Sequence, residues 1–201
     1  MRKLIVASNN INKINEIKDI LKEMPLKILS LKEAGINIDV EENGQSFMEN
    51  ALIKAKAIHD IAPGAMVLAD DSGLTVDSLA GAPGIYSARF SGEHGNDRKN
   101  NIKLLELLNG KKEAERKGQF VCAIALITHT GEEVKVEGRI DGIIIEEERG
   151  SNGFGYDPVF YIEEYGKTFG ELDGKTKNRI SHRAKALKEL QREIIKLLGE
   201  V

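Results

Sequence analysis

The stretch Lys3-Leu4-Ile5-Val6-Ala7-Ser8-Asn9-Asn10-Ile11-Asn12-Lys13 begins with a charged residue and an apolar run, breaks at a hydroxyl and two amides, and leads into residues spaced for a helix. Lys3 to Ala7 reads as a buried opening strand. Ile14, Ile17, Leu21 and Met24 then recur at three- and four-residue steps, which is one face of a helix. A strand feeding a helix through a short polar loop is the elementary α/β unit, and the chain goes on alternating in that way. Leu26 to Leu29 predicts a second short strand. Ser46 with Glu49 three residues later is a capping box, opening a helix whose buried stripe is Phe47, Ala51, Ala55 and Ile58 and whose first turns carry Glu49 and Lys54. Pro63 and Gly64 turn the chain into Met66 to Ala69, a compact apolar strand expected to end at Asp70-Asp71-Ser72-Gly73.

Further on, Gly81, Pro83 and Gly84 form a rigid loop, and Asn96 to Leu108 is an amphipathic helix carrying Leu104, Leu105 and Leu108 inward. Phe120 to Ile127 is apolar on both faces, as for a central strand. Val134, Val136 and Ile140 alternate with Lys135, Glu137 and Arg139, as for a half-exposed one, and Thr130-Gly131 joins the two as a hairpin. Gly150 to Gly155 is a glycine loop before Tyr156-Asp157-Pro158 and a short strand. Ser181 caps a last helix with Ala184, Leu187, Leu190, Ile194 and Leu197 on one side. This order predicts an α/β fold with a mixed sheet. A length of 201 residues, 41% of them hydrophobic, fills one sizeable core or two small lobes sharing a sheet, and the expectation is a single domain over residues 1–201.

A net charge of -3 gives no general attraction to nucleic acid or anionic membrane, and 5% aromatic residues offer few stacking platforms for bases of a polymer. A polyphosphate ligand would have to be held by local cations and a metal. Cys122 is the one cysteine and lies in an apolar run, so no intrachain disulfide forms and a reducing compartment fits. Leu4 to Ala7 is too short for a signal-peptide core, and no run spans a bilayer, so the expected location is the cytoplasm.

Four segments carry chemistry. Ser8 to Lys13 places hydroxyl, amides, backbone N–H groups and a lysine at a helix N-terminus, an anion site in kind, although the same residues also suit a capped surface helix. Asp70 and Asp71 follow an apolar strand, where alternation sends one carboxylate to the ligand, expected to be Asp71, and the other into the scaffold. Glu41 or Glu42 is the candidate second oxygen ligand for magnesium, which leaves most of its shell to substrate phosphates and water. Phe154-Gly155-Tyr156-Asp157-Pro158 sets two aromatics and a carboxylate on a glycine loop, suited either to enclosing a base or to plugging the core beneath a turn. Lys177 with Ser181-His182-Arg183 brings cations and donors to the start of the last helix. His59, His94 and His129 have no ligand spacing, and Ser72 has no histidine near it in sequence, which favours attack by water over a nucleophilic triad.

Taken together, Ser8-Asn9-Asn10-Ile11-Asn12-Lys13, Glu49-Asn50-Ala51 with Lys54, Ala69-Asp70-Asp71-Ser72-Gly73-Leu74, the run from Gly81 to Arg89, Gly153-Phe154-Gly155-Tyr156-Asp157-Pro158 and Ile180-Ser181-His182-Arg183 resemble the inosine triphosphate pyrophosphatase family in order and nearly end to end. The resemblance implies a long central mixed sheet flanked by helices, two lobes with a nucleotide cleft between them, and a homodimer. It implies hydrolysis of non-standard purine triphosphates (ITP, dITP, XTP) to the monophosphate and pyrophosphate with Mg2+. Ser8, Asn9, Asn10, Ile11, Asn12 and Lys13 would hold phosphates, Asp71 would be general base and metal ligand with Glu41, and Lys54 and Ser72 would contact substrate. Phe154, Gly155, Tyr156 and Asp157 would enclose base and sugar, with Lys177, His182 and Arg183 completing the pocket. Lys13 and Lys177 would offset charge on the phosphates, and backbone N–H groups or Arg183 would favour a 6-oxo purine. A pyrophosphatase for other triphosphates and a non-catalytic nucleotide sensor are the rival readings.

Overall fold

The opening run folds as a strand, β1 (Arg2–Val6), burying Leu4, Ile5 and Val6. It pairs in parallel with β2 (Leu26–Ser30) on one side and with β3 (Met66–Val76) on the other. The computed structural model describes residues 2–199. Between β1 and β2 lies α1 (Ile11–Ile20), started by Asn10, whose side-chain oxygen accepts the N–H groups of Asn12 and Lys13. Ile14, Ile17 and Leu21 are buried from it, while Met24 lies beyond its end and is only half-buried.

The second helix, α2 (Phe47–Ile61), starts at Ser46, which accepts the Glu49 N–H. The return bond of the predicted capping box lands one residue early, because the Glu49 carboxylate takes the Gln45 N–H. Its inner face is Asn50, Ala51, Ala55 and Ile58. Phe47 is half-buried, and the position sequence periodicity gave to it is filled by a buried amide.

β3 differs from its prediction. Instead of stopping at Asp70, it runs for 11 residues through Asp70-Asp71-Ser72-Gly73 to Val76. Carboxylates usually end an apolar strand, but these two are matched by cations and an amide described below, so the ladder carries on past them. After it come α3 (Asp97–Leu107), β4 (Lys117–Ile127), β5 (Glu133–Ile144), β6 (Phe160–Ile162), β7 (Lys167–Thr168), α4 (Gly174–Ile180) and α5 (His182–Gly199). Among the described residues the strands form one sheet in the order β2-β1-β3-β4-β5-β6-β7, parallel around β1 and antiparallel from β5 to β7. This is the predicted α/β class with a mixed sheet flanked by helices.

The chain divides into two compact units. The first comprises Met1–Asp71, Cys122–Gly138 and Arg183–Val201, and the second Ser72–Val121 and Arg139–His182. In the first, one apolar cluster joins Leu4, Val6, Ile17, Leu68, Ile124 and Leu190. Another gathers Ile5, Ala51, Ala55, Val67 and Ile127. The second unit is built on Leu74, Leu104, Phe120, Tyr156, Phe160 and Phe169. No helix among the described residues is long and apolar enough to cross a membrane.

Candidate active site

Asp70 and Asp71 are neighbours on β3, so their side chains leave opposite faces and meet different partners. Asp70 is fully buried. Its Oδ2 lies 3.1 Å from Arg183 Nη2, 3.3 Å from Arg183 Nε and 3.2 Å from Lys13 Nζ. Arg183 Nη1 is bonded in turn to Glu16, one helical turn after Lys13 on α1. Burial works against the guanidinium cation, but Asp70 and Glu16 outweigh it and hold its pKa above the ordinary value.

Asp71 accepts a hydrogen bond of 3.0 Å from Asn50 Nδ2, and the same amide accepts the Gly44 N–H at 2.8 Å. One buried side chain thus ties Asp71 to the loop that carries Glu41 and Glu42. Lys54 Nζ donates to the Asp70 carbonyl at 2.6 Å and pairs with Glu42 Oε1 at 3.0 Å. Burial pushes the Asp71 carboxyl upward, helped by Glu42, and does so more strongly than Lys54, Lys13 and the Asn50 bond draw it down. For Lys54 burial disfavours the charge, yet Asp71, Asp70 and Glu42 together raise its pKa. A carboxylate with a raised pKa is a better proton acceptor than a solvated one, and here it stands within the field of two lysines.

Around the start of α1, Ser8 Oγ accepts the Asn10 N–H at 3.2 Å, and Asn10 caps the helix. Asn9, Asn10, Ile11 and Asn12 are exposed, and Ser8 and Lys13 half-buried, so this positive helix end faces solvent beside the Lys13–Asp70 pair. Glu41 is exposed, while Glu42 is the glutamate that reaches Lys54 and acts on Asp71. No three His, Cys, Asp or Glu side chains gather as a metal cage among the described residues.

The remaining predicted residues belong to the second unit, apart from Arg183. Ser72 is half-buried on β3. Asp157 Oδ2 accepts the Phe154 N–H at 2.8 Å and Lys177 Nζ at 2.6 Å, and that ammonium lies 4.6 Å from the centre of the Phe154 ring. Gly153, at φ 76°, is required here, since a Cβ would collide with the Asp157 carboxylate. Tyr156 is a core residue, its hydroxyl donating to Ser87 O at 2.8 Å, so of the two loop aromatics Phe154 is the half-exposed one. His182 stacks on Phe120 with ring centres 4.7 Å apart. Arg183, expected to read a purine oxygen, is 1% exposed and bonded to Asp70 and Glu16.

Sequence reading quoted Asn50 within the Glu49-Asn50-Ala51 motif without giving it a role, and missed Glu16 and the partners of Gly155. Asn50 left a trace: it sits one place before Ala51 on the inner face of α2, where a polar side chain needs a buried partner. Glu16 left none, because it is three residues from Lys13 on a helix where an exposed ion pair is the ordinary outcome.

By fold and site, then, the chain is a mixed-sheet α/β protein whose first unit gathers a buried carboxylate pair and two lysines beside a capped helix N-terminus. It belongs to the Ham1 family, whose model matches residues 4–193. It is 55% identical over 196 residues to a dITP/XTP pyrophosphatase of Clostridium perfringens, covering 95% of this chain and 96% of the relative. It is 52% identical over 196 residues to the dITP/XTP pyrophosphatase of Clostridium tetani, covering 96% of each. The solved Ham1 protein of Staphylococcus aureus superposes over 100% of both chains with a TM-score of 0.85 and 40% identity. The family membership and fold that the six motifs implied are thereby established.

Proposed function

We propose that this protein hydrolyses non-standard purine nucleoside triphosphates, ITP, dITP and XTP, to the monophosphate and pyrophosphate. The observation that carries the reading is Asp71, a buried carboxylate with a raised pKa, set on β3 within the field of Lys13 and Lys54. The names of its near relatives support the substrate class.

In this reading Asp71 takes the proton of a water that closes on the α-phosphorus, and pyrophosphate leaves with the bonding electron pair. Lys13 and Lys54 offset the charge that builds on the phosphate oxygens, the electrostatic contribution that dominates phosphoryl transfer. Ser8 to Lys13 orient the triphosphate through side chains and the helix end. Asn50 holds the Asp71 carboxylate in place. A hard divalent cation fits the donor set, since Asp71 and Glu42 are oxygen ligands that influence each other and leave room for phosphates and water. Glu42 suits this better than the exposed Glu41. Magnesium bound there would neutralise phosphate charge and polarise the reacting bond. Phe154 and Gly155, with Lys177 beneath the Phe154 ring, Asp157 bonded to Lys177, and Ser72 and His182 of the same unit, take the base and sugar, while Tyr156 anchors the turn from the core. Selection of a 6-oxo purine follows from donors facing the oxygen, which an amine at that position leaves unpaired. The family resemblance supports a homodimer, and the one cysteine, free and buried, suits a reducing compartment such as the cytoplasm.

The test is incubation with ITP, dITP, XTP, ATP and GTP plus magnesium, with products identified, for the unaltered protein and for Asp71→Asn. The expected result is monophosphate and pyrophosphate from the first three nucleotides at rates well above ATP, and none from the variant. Equal rates on ATP and ITP would remove the selectivity claim, and turnover by Asp71→Asn would remove the assignment of the base.

A further inference from the structure

We propose that Asp97 is a positioning residue for base recognition: from α3 it fixes the Gly155 peptide and, through it, the turn from Phe154 to Asp157. The proposal rests on the reading above that this turn receives the purine.

The geometry is confined to the second unit. Asp97 Oδ2 accepts the Gly155 N–H at 2.7 Å. One turn later on the same helix, Asn101 Nδ2 donates to the Gly155 carbonyl at 3.2 Å and to Glu148 Oε1 at 2.9 Å. Both polar groups of a single backbone residue are therefore held by side chains four apart on one helix, the spacing that puts them on a common face. Gly155 has φ 63°, the left-handed region, so the peptide has been turned to present its N–H and carbonyl to α3. The Asn101 amide is placed by its donors: its Oδ1 is buried without a hydrogen-bond partner among the described residues. Asp97 supplies the stronger half, because a charged acceptor makes the shorter and tighter bond.

On either side of that peptide the turn has its own anchors. The Phe154 N–H is held by Asp157 and its ring lies over Lys177. The Tyr156 hydroxyl is held by Ser87. Gly155 links the two aromatics and α3 holds the peptide units on both sides of it; freeing the Gly155 N–H would release the unit that leads to the half-exposed Phe154, while Tyr156 stays anchored in the core by its bond to Ser87. Asp97 also stands in the first turn of α3, after the Asn96 cap, where any carboxylate stabilises a helix. A role confined to the helix would lower thermal stability without touching the base.

The experiment compares Asp97→Ala, Asp97→Asn and the unaltered protein in steady-state hydrolysis of dITP, with inorganic tripolyphosphate as an inhibitor that lacks a base. The expected result for Asp97→Ala is a KM for dITP raised about tenfold, the loss of one charge-assisted bond, at nearly constant kcat. Inhibition by tripolyphosphate should be unchanged, and Asp97→Asn, which keeps an acceptor oxygen in the same place, should recover most of the KM. An unchanged KM in Asp97→Ala, a parallel weakening of tripolyphosphate inhibition, or no recovery in Asp97→Asn would each overturn the proposal. If the unaltered protein fails to hydrolyse dITP at all, the underlying reading falls, which is a separate and recognisable outcome.

Discussion

Asp71 sits where its own charge is unfavourable. Burial raises its pKa, and the lysines and Asn50 recover only part of that penalty. The stability linked to this group is therefore fully present below its unfolded pKa and is lost as pH rises through the higher folded one. Asp71→Asn carries no charge at any pH and escapes the loss. In metal-free buffer the variant should melt at or above the temperature of the unaltered protein at neutral pH, with the difference shrinking toward zero as the pH falls into the acidic range. A variant less stable at neutral pH than at acid pH, relative to the unaltered protein, would contradict the direction of the shift. The same reasoning explains why Asn50 is an amide: a neutral donor fixes the carboxylate without discharging it, whereas a third lysine would draw its pKa down and weaken it as a base.

Elements explain what sequence periodicity missed. It located β1, α1, α2 and the β4–β5 pair from apolar spacing together with the Ser46 capping signal and the Thr130-Gly131 turn, because their inner faces are largely apolar. It ended β3 too soon, since the continuation through Asp70 and Asp71 depends on Arg183, which is 113 residues away in sequence. It read α3 by Leu104, Leu105 and Leu108, yet the inner face of its first half is Asn100 and Asn101. Asn100 bonds the preceding loop at Ser91 and Ala88, and Asn101 bonds Glu148 as well as the Gly155 carbonyl, and polar side chains with such partners have no local signature. Arg116 is another such case: buried ahead of β4, it donates to Leu108 O at 2.7 Å, Ile144 O at 2.6 Å and Ile145 O at 2.9 Å. It staples the end of α3 to the end of β5. Arg116→Met fills similar volume but takes a donor from each of three carbonyls, of which Leu108 O keeps the Lys111 N–H, and should cost about 3 kcal/mol in denaturant-induced unfolding. A loss below about 1 kcal/mol would mean that water replaces those bonds freely.

On the scale of the molecule, the chain passes between its two units four times, and the crossings at Asp71–Ser72 and His182–Arg183 fall inside motifs, so motifs that are continuous in sequence are shared out. The family resemblance legible in six short motifs survives this because each motif is local, whereas the role of Arg183 was not legible: its neighbours in sequence, Ser181 and His182, belong to the other unit. The central claim is that water, deprotonated by Asp71, attacks the α-phosphorus and releases pyrophosphate intact. Hydrolysis of dITP in water enriched in the heavy oxygen isotope, followed by mass analysis of both products, tests it most directly. The account predicts one heavy oxygen in dIMP and none in pyrophosphate; label in pyrophosphate, or release of single phosphates, would contradict it.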